Sequence, residues 1–174
     1  MLRATVGAVQ DALANLVDDL LAAAVAALEP PNTEAGAPAR QFTSHTEPSE
    51  DCSQIAAFWR PVTALPQGVP CVYVPVAPLV VELHRCVTAF TDRNGNPKIP
   101  DPAVLSEEAR SLAIDGWALY KGILGQCSAG TLFPGVNCRN VTVGALEPIP
   151  PTGSMAGVRL TVNVKVSAPA ATGS

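Results

Sequence analysis

Charge is scarce in this chain. Only 15% of its 174 residues are charged, against about a quarter in ordinary globular proteins. A soluble monomer usually displays more. With a mean hydropathy of +0.24, the scarcity points to a surface partly covered by partners. The plainer reading is a compact Ala/Val/Pro-rich protein from a GC-rich genome. Basic residues are also few: eleven Lys and Arg, scattered, under a net charge of −4. No patch could track phosphates, which argues against direct nucleic-acid binding.

Long hydrophobic runs are missing. The longest uninterrupted apolar stretch, Leu20 to Leu28, is far too short to span a bilayer. Asp11, Asp18 and Asp19 interrupt the apolar N-terminal region, which speaks against a signal peptide. Cysteine motifs are missing as well. Cys52, Cys71, Cys86, Cys127 and Cys138 form no C-x-x-C pair, so a structural zinc site is not expected. Their odd number argues against a secreted disulfide framework. The expectation is free cysteines packed as small hydrophobes. The pair best placed to bond is Cys127 with Cys138, which close a short loop.

Catalytic signatures are absent too. Ser128 and Ser154 both miss the G-x-S-x-G pattern, and there is no P-loop and no G-x-G-x-x-G. The histidines are His45 and His84. Glu82, His84 and Cys86 alternate along one predicted strand face and form, on paper, an orienter, a base and a nucleophile. Same-face neighbours lie about 6.5–7 Å apart along a strand, loose for direct hydrogen bonding. A mixed, half-buried strand face explains the row better. No catalytic, cofactor-binding or metal-binding residue is therefore assigned. Asn140-Val141-Thr142 fits a glycosylation sequon, to which no role is assigned.

What the chain does have is periodicity. Leu2, Val6, Val9, Leu13, Leu16, Val17, Leu20, Ala24 and Leu28 recur every three or four positions and predict a helix over residues 3–28, ended by Pro30 and Pro31. A polar linker, 29–38, follows. Strands are expected at 39–46, within the extended stretch 52–65, and most strongly in 79–90, beginning near Leu79 because of Pro75 and Pro78. In that strand Val81, Leu83, Arg85 and Val87 share one side, and Val80, Glu82, His84 and Cys86 the other. Asn94-Gly95 marks a turn, in an exposed loop 91–100 carrying Arg93 and Lys98. Asp101-Pro102 starts a second helix, with a core stripe of Leu105, Ala109, Leu112, Ala113, Trp117, Tyr120 and Leu124 and a C-terminal cap at Gly125. A strand over 139–147, with Val141, Val143 and Ala145 on one face, leads to a turn at 148–157. The last strand, 158–166, points Val158, Leu160, Val162, Val164 and Val166 inward, with Arg159, Thr161, Asn163 and Lys165 in water.

The expected fold is α+β. A mixed or antiparallel sheet of 4–5 strands carries two main helices on one face, in the order α-β-β-β-α-β-β. One domain should occupy residues 1–167, with 168–174 as a tail.

Several features taken together resemble the tail-terminator family of long-tailed phages that infect actinobacteria. They are the alanine-rich first helix, the cysteine before an aromatic-bearing strand in DCSQIAAFWRPVTALP, and the apolar strand ending in a basic residue and cysteine, VVELHRCV. The Pro-rich helix entry in IPDPAVLSEEARSLAIDGWALYKGIL and the closing GSMAGVRLTVNVKV complete the order. The resemblance covers roughly residues 1–167 and rests on order and spacing, since no single motif is specific. It implies a non-enzymatic virion protein that forms a ring, typically a hexamer, at the head-proximal end of the tail tube. The implied partners are further copies of the chain, the tail tube protein, and a head-side connector or stopper. DNA passes only as cargo, no membrane is involved, and the site is the virion neck after assembly in the host cytoplasm. Arg93, Asn94, Gly95 and Lys98 are the candidate interface loop. A stopper or head-completion subunit, a small hydrolase or redox protein using Cys86 and His84, and a secreted domain bearing a disulfide are the alternatives.

Overall fold

The computed structural model describes residues 6–44, 47, 51–66, 73–90 and 96–166. Helix α1 spans Val6–Leu28. It is followed by strands β1 (Arg40–Ser44), β2 (Gln54–Trp59), β3 (Thr63–Pro66) and β4 (Tyr73–Cys86). Helix α2 (Pro102–Ala129), a 3-10 turn at Cys138–Asn140, and strands β5 (Val141–Thr152) and β6 (Met155–Lys165) complete the order. The chain is α+β and the helices and strands follow the predicted order, except that the extended stretch 52–65 supplies two strands, β2 and β3, which brings the sheet to six strands. The sheet runs β1-β2-β4-β6-β5. β3 pairs with β4 along the same edge as β2, further toward the start of β4. β1 and β2 are parallel and every other pairing is antiparallel, so the sheet is mixed.

Both helices cover one face of the sheet. Leu13, Val17, Leu20, Ala24 and Leu28 of α1 pack with Leu119 and Ile123 of α2 onto Ile55, Leu79, Val81, Leu83, Leu160 and Val162. The α1 stripe follows the expected period. The side chains of Leu2, Val6 and Val9, expected on it too, lie outside the described residues. Where the helices cross they come very close: a Cβ on Gly122 would collide with the Ala27 side chain and sit 3.2 Å from its Cα. α1 ends in a turn in which the buried Thr33 hydroxyl donates to the Leu28 carbonyl at 2.6 Å and accepts from the Gly36 amide.

Four local expectations are corrected. First, β4 starts at Tyr73, not near Leu79, and holds Pro75 and Pro78 inside it. A strand residue directs its N–H and C=O to the same side. The Pro78 carbonyl accepts from Arg60 N, in the gap between β2 and β3, and the Pro75 carbonyl from Val166 N, beyond the end of β6. Each missing donor therefore points where no regular ladder bond is needed.

Second, α2 turns a different stripe to the core. Asp115, Gly116, Leu119 and Ile123 are buried, whereas Trp117 is 63% exposed and Leu124 also faces out. The expected stripe is rotated by about one residue, some 100° on a helix, because α2 is apolar on two sides. Third, Gly125 lies within this helix. The cap is Gly130, in the left-handed region at φ 71°. Asp101 does cap the start, accepting from the Ala103 amide.

Fourth, β5 continues through Pro148, Pro150 and Pro151 to Thr152, so the turn shrinks from 148–157 to Gly153 and Ser154. As the outermost strand it tolerates missing donors. A register shift between Val143 and Leu146 moves Leu146, rather than Ala145, onto the core.

The inward valines of β6 are buried as expected, Val162 completely. Val162→Asp would bury an unpaired charge beside Leu79 and Val143, its register partners, and should cost ~3 kcal/mol or more. Chemical denaturation of the purified variant checks this. Near-wild-type stability would contradict the core assignment.

Candidate functional site

The sheet face opposite the helices carries a buried polar row that the strand register assembles. Glu82 of β4 lies directly across from Arg159 of β6, and His84 across from Gln54 of β2. Arg159 Nε donates to Glu82 Oε1, and Arg159 Nη2 to Glu47 Oε1. Arg60 Nη2 approaches the same Glu47 oxygen at 3.7 Å. His84 Nε2 lies 3.4 Å from Glu82 Oε2, and its Nδ1 is 3.3 Å from Gln54 Nε2.

Small neighbours make room for this row. Ala56 is the β2 partner of Glu82. Gly157 faces His84, where an added Cβ would come within 3.0 Å of the imidazole Cδ2.

Glu82 and His84 are each only 2% exposed, so the face expected to be half-buried is closed. Arg159, expected in water, is part-buried in the network. Burial pushes the Glu82 carboxyl up, but hydrogen bonds from His84 and Arg159, with the Arg159 charge, outweigh it and hold the group below its ordinary range. The predicted alternation does bring Glu82 and His84 together. It does not supply a nucleophile, because Cys86 is bonded to Cys52.

That disulfide corrects the expectation for Cys127 and Cys138, both of which are free thiols. The reason lies in the register. Gln54 faces His84, so two residues further along the antiparallel pair Cys52 meets Cys86, with Cα atoms 4.7 Å apart. Cys86 is solvent-exposed rather than a packed small hydrophobe. Burial, with the neighbouring Cys138, raises the Cys127 thiol above its ordinary value. Cys71 lies outside the described residues.

The helix side has a second ionic anchor that the sequence reading missed. Asp115, buried in the inner stripe of α2, accepts from Arg85 Nε at 2.8 Å, and Arg85 Nη2 donates to the Gly36 carbonyl at 2.6 Å. A lone carboxylate within an apolar helical stripe was the available signal, because such a group needs a buried partner.

Of the candidate interface loop, Arg93, Asn94 and Gly95 lie outside the described residues. Lys98 is exposed, and its amide donates to the Phe90 carbonyl. Next to it Ile99 stands 93% exposed.

The outer face of α2 is apolar and exposed. Ile114, Trp117 and Leu124 line it at helical spacing, and the Trp117 ring stacks on Tyr120 at 5.8 Å. A shallow groove floored by Ala27, Ala118 and Gly122 runs beside them. A second apolar groove, of about 420 Å³, lies between the first half of α2 and the far half of β5, lined by Val87, Phe90, Leu105, Leu112, Ile149 and Pro150 among others.

Neither a protein-family model nor a curated protein matches the chain. Among the described residues, no helix is long and apolar enough to cross a membrane, and no group of three or more His, Cys, Asp or Glu side chains could hold a metal ion.

The polar row makes a pH-dependent prediction. A depressed folded carboxyl contributes stability that is fully present above its unfolded value, 4.5, and is lost as the pH falls through the folded value. Glu82→Gln should melt well below wild type near neutral pH. The gap between the two melting temperatures should shrink as the pH is lowered from about 6 to about 3. A gap independent of pH would mean that the Glu82 charge stabilises nothing.

Proposed function

We propose that the chain is a non-enzymatic structural subunit of a phage neck, of the tail-terminator type, working as one member of a closed ring. The observation that carries this reading is the second apolar face of α2. The inner stripe of α2 buries Leu119 and Ile123, and the opposite side still presents Ile114, Trp117 and Leu124 to water, apolar area that an interface would cover. Large aromatic side chains on a rigid, core-backed element are the usual anchors of an interface. The low charge of the chain points the same way.

A ring closes when one patch meets a different patch on the next copy and the rotation returns to the start. The α2 face and the Phe90–Leu105 groove are two such unlike apolar patches. The resemblance described above supplies the setting: a hexamer that satisfies the last ring of tail tube protein, offers no equivalent surface, and meets the head-side connector on its other side. A stopper or head-completion subunit would share these surfaces.

One observation favours a second reading. A disulfide persists in oxidising surroundings, and Cys52–Cys86 fits a secreted domain. It fits an exposed virion protein equally.

Negative-stain microscopy of the purified protein, alone and with tail tube protein, separates the two. The neck reading expects rings, free or capping tubes of limited length. Trp117→Glu should keep its fold, with melting close to wild type, and lose ring formation. A protein that stays monomeric with and without tube protein, or that lies elsewhere in the virion than the neck, contradicts the proposal.

A further inference from the structure

The helix layer carries two rows of residues that match each other. Along α1, Asp18, Ala22, Val25 and Glu29 follow at steps of four, three and four residues, with Glu29 directly after the last turn. Along α2, Arg110, Ile114, Trp117 and Lys121 follow at the same steps. Such spacing keeps each row on one side of its helix, and sets its charged ends about 16 Å apart.

The rows are opposite in charge. α1 contains three aspartates and no basic residue. Within the α2 row the acidic residue, Asp115, is buried and paired with Arg85, and Glu107 lies a turn outside it. Asp18, Glu29, Arg110 and Lys121 have no ion-pair partner among the described residues. Burial, with the Asp18 charge, raises the neighbouring Asp19 carboxyl, and a cation laid on this row would relieve the like-charge crowding.

The rows are also complementary in bulk. Between Asp18 and Glu29 runs a shallow groove lined by Leu21, Ala22, Val25 and Ala26. Ala22 and Ala26 are exposed, so the middle of the row is hollow. Between Arg110 and Lys121 the exposed Ile114 and Trp117 stand out. The two rows sit on different flanks of the layer. Gln41 of β1 borders the α1 groove, whereas Ala27 and Gly122 border the α2 row. Within one chain they do not meet.

We infer that the α2 row of one copy docks on the α1 row of a second copy with the helices antiparallel, Arg110 beside Glu29, Lys121 beside Asp18 and the Trp117 ring over Ala22. This rests on the reading of the α2 face as an intersubunit surface, and names the surface it meets. The antiparallel sense sets the large Trp117 on the small Ala22, whereas the parallel sense would set it on Val25. One row from each copy makes the contact heterologous, the kind that a ring needs. The paired charges fix its register. The groove between Phe90 and Leu105 offers no such match, because Glu108, the charged residue that lines it, is engaged by Thr88.

The test is charge reversal in the full chain, read by sedimentation velocity and negative-stain microscopy, alone and with tail tube protein. Asp18→Lys/Glu29→Lys and Arg110→Glu/Lys121→Glu should each melt like wild type and weaken self-association by about tenfold or more. Mixed in equal amounts the two variants should assemble again, since each α2 row then finds an α1 row of opposite sign. Ala22→Trp should fill the hollow and block assembly with all four charges in place. Should a reversal unfold the chain, Asp18→Asn/Glu29→Gln and Ala22→Trp carry the same test.

Folded variants that assemble like wild type, or a mixture that stays apart, overturn the inference. So do α1-row variants that keep self-association and lose only tube binding, which would make the tube protein the occupant. If Trp117→Glu abolishes assembly while the α1-row variants do not, the α2 reading stands and this docking mode falls. Wild type that self-associates neither alone nor on tubes overturns both.

Discussion

The molecule depends on burying strand β4 from both sides at once. One face of β4 is hydrocarbon and receives both helices. The other carries Glu82 and His84, which almost no water reaches. Groups of that kind are tolerated inside a protein only when partnered, and the partners come from the adjacent strands, Arg159 on β6 and Gln54 on β2. The polar row therefore acts as a register device. A slip of one residue would carry every β4 side chain to the opposite face, placing Glu82 and His84 among the leucines. In removing one partner of a buried pair, the cost lies in stranding the other charge more than in the attraction lost.

With β4 fixed, the helices are fixed too. Arg85, at one end of the helix-facing row, ties Asp115 of α2 to the turn that follows α1. The close approach of Ala27 and Gly122 leaves little freedom for the angle between the helices. This clamp determines which side of α2 faces out. The outward apolar face is a consequence of core packing, and the proposed role in a ring rests on that consequence together with the resemblance.

The sequence made the order of elements readable because its periodicities are clean: a 3.6-residue stripe through Leu13, Val17, Leu20 and Ala24, and strict alternation from Val158 to Val164. The β4 alternation was equally clear, and placed Glu82 beside His84 correctly. Three things were not legible, each for a physical reason. The orientation of α2 was ambiguous because Trp117 and Leu124 satisfy the same period as Leu119 and Ile123, and the contacts that separate them, Arg85 with Asp115 and Ala27 with Gly122, are tertiary. The ends of β4 and β5 were misplaced because proline reads as a strand breaker, whereas Pro75, Pro78, Pro148 and Pro150 sit where no ladder donor is required. The disulfide was missed because a cross-strand pair is defined by register, and Cys52 and Cys86 are 34 residues apart in sequence.

The central claim is that the outer face of α2 is an intersubunit surface. The most direct measurement is solvent access to Trp117 in the free and the assembled protein, read by acrylamide quenching in a Trp59→Phe background so that a single tryptophan reports. The account predicts strong quenching in the dilute, dissociated protein and a marked loss of quenching when the protein assembles on itself or on tail tubes. Assembly with Trp117 still as open to the quencher as in the free chain would contradict it.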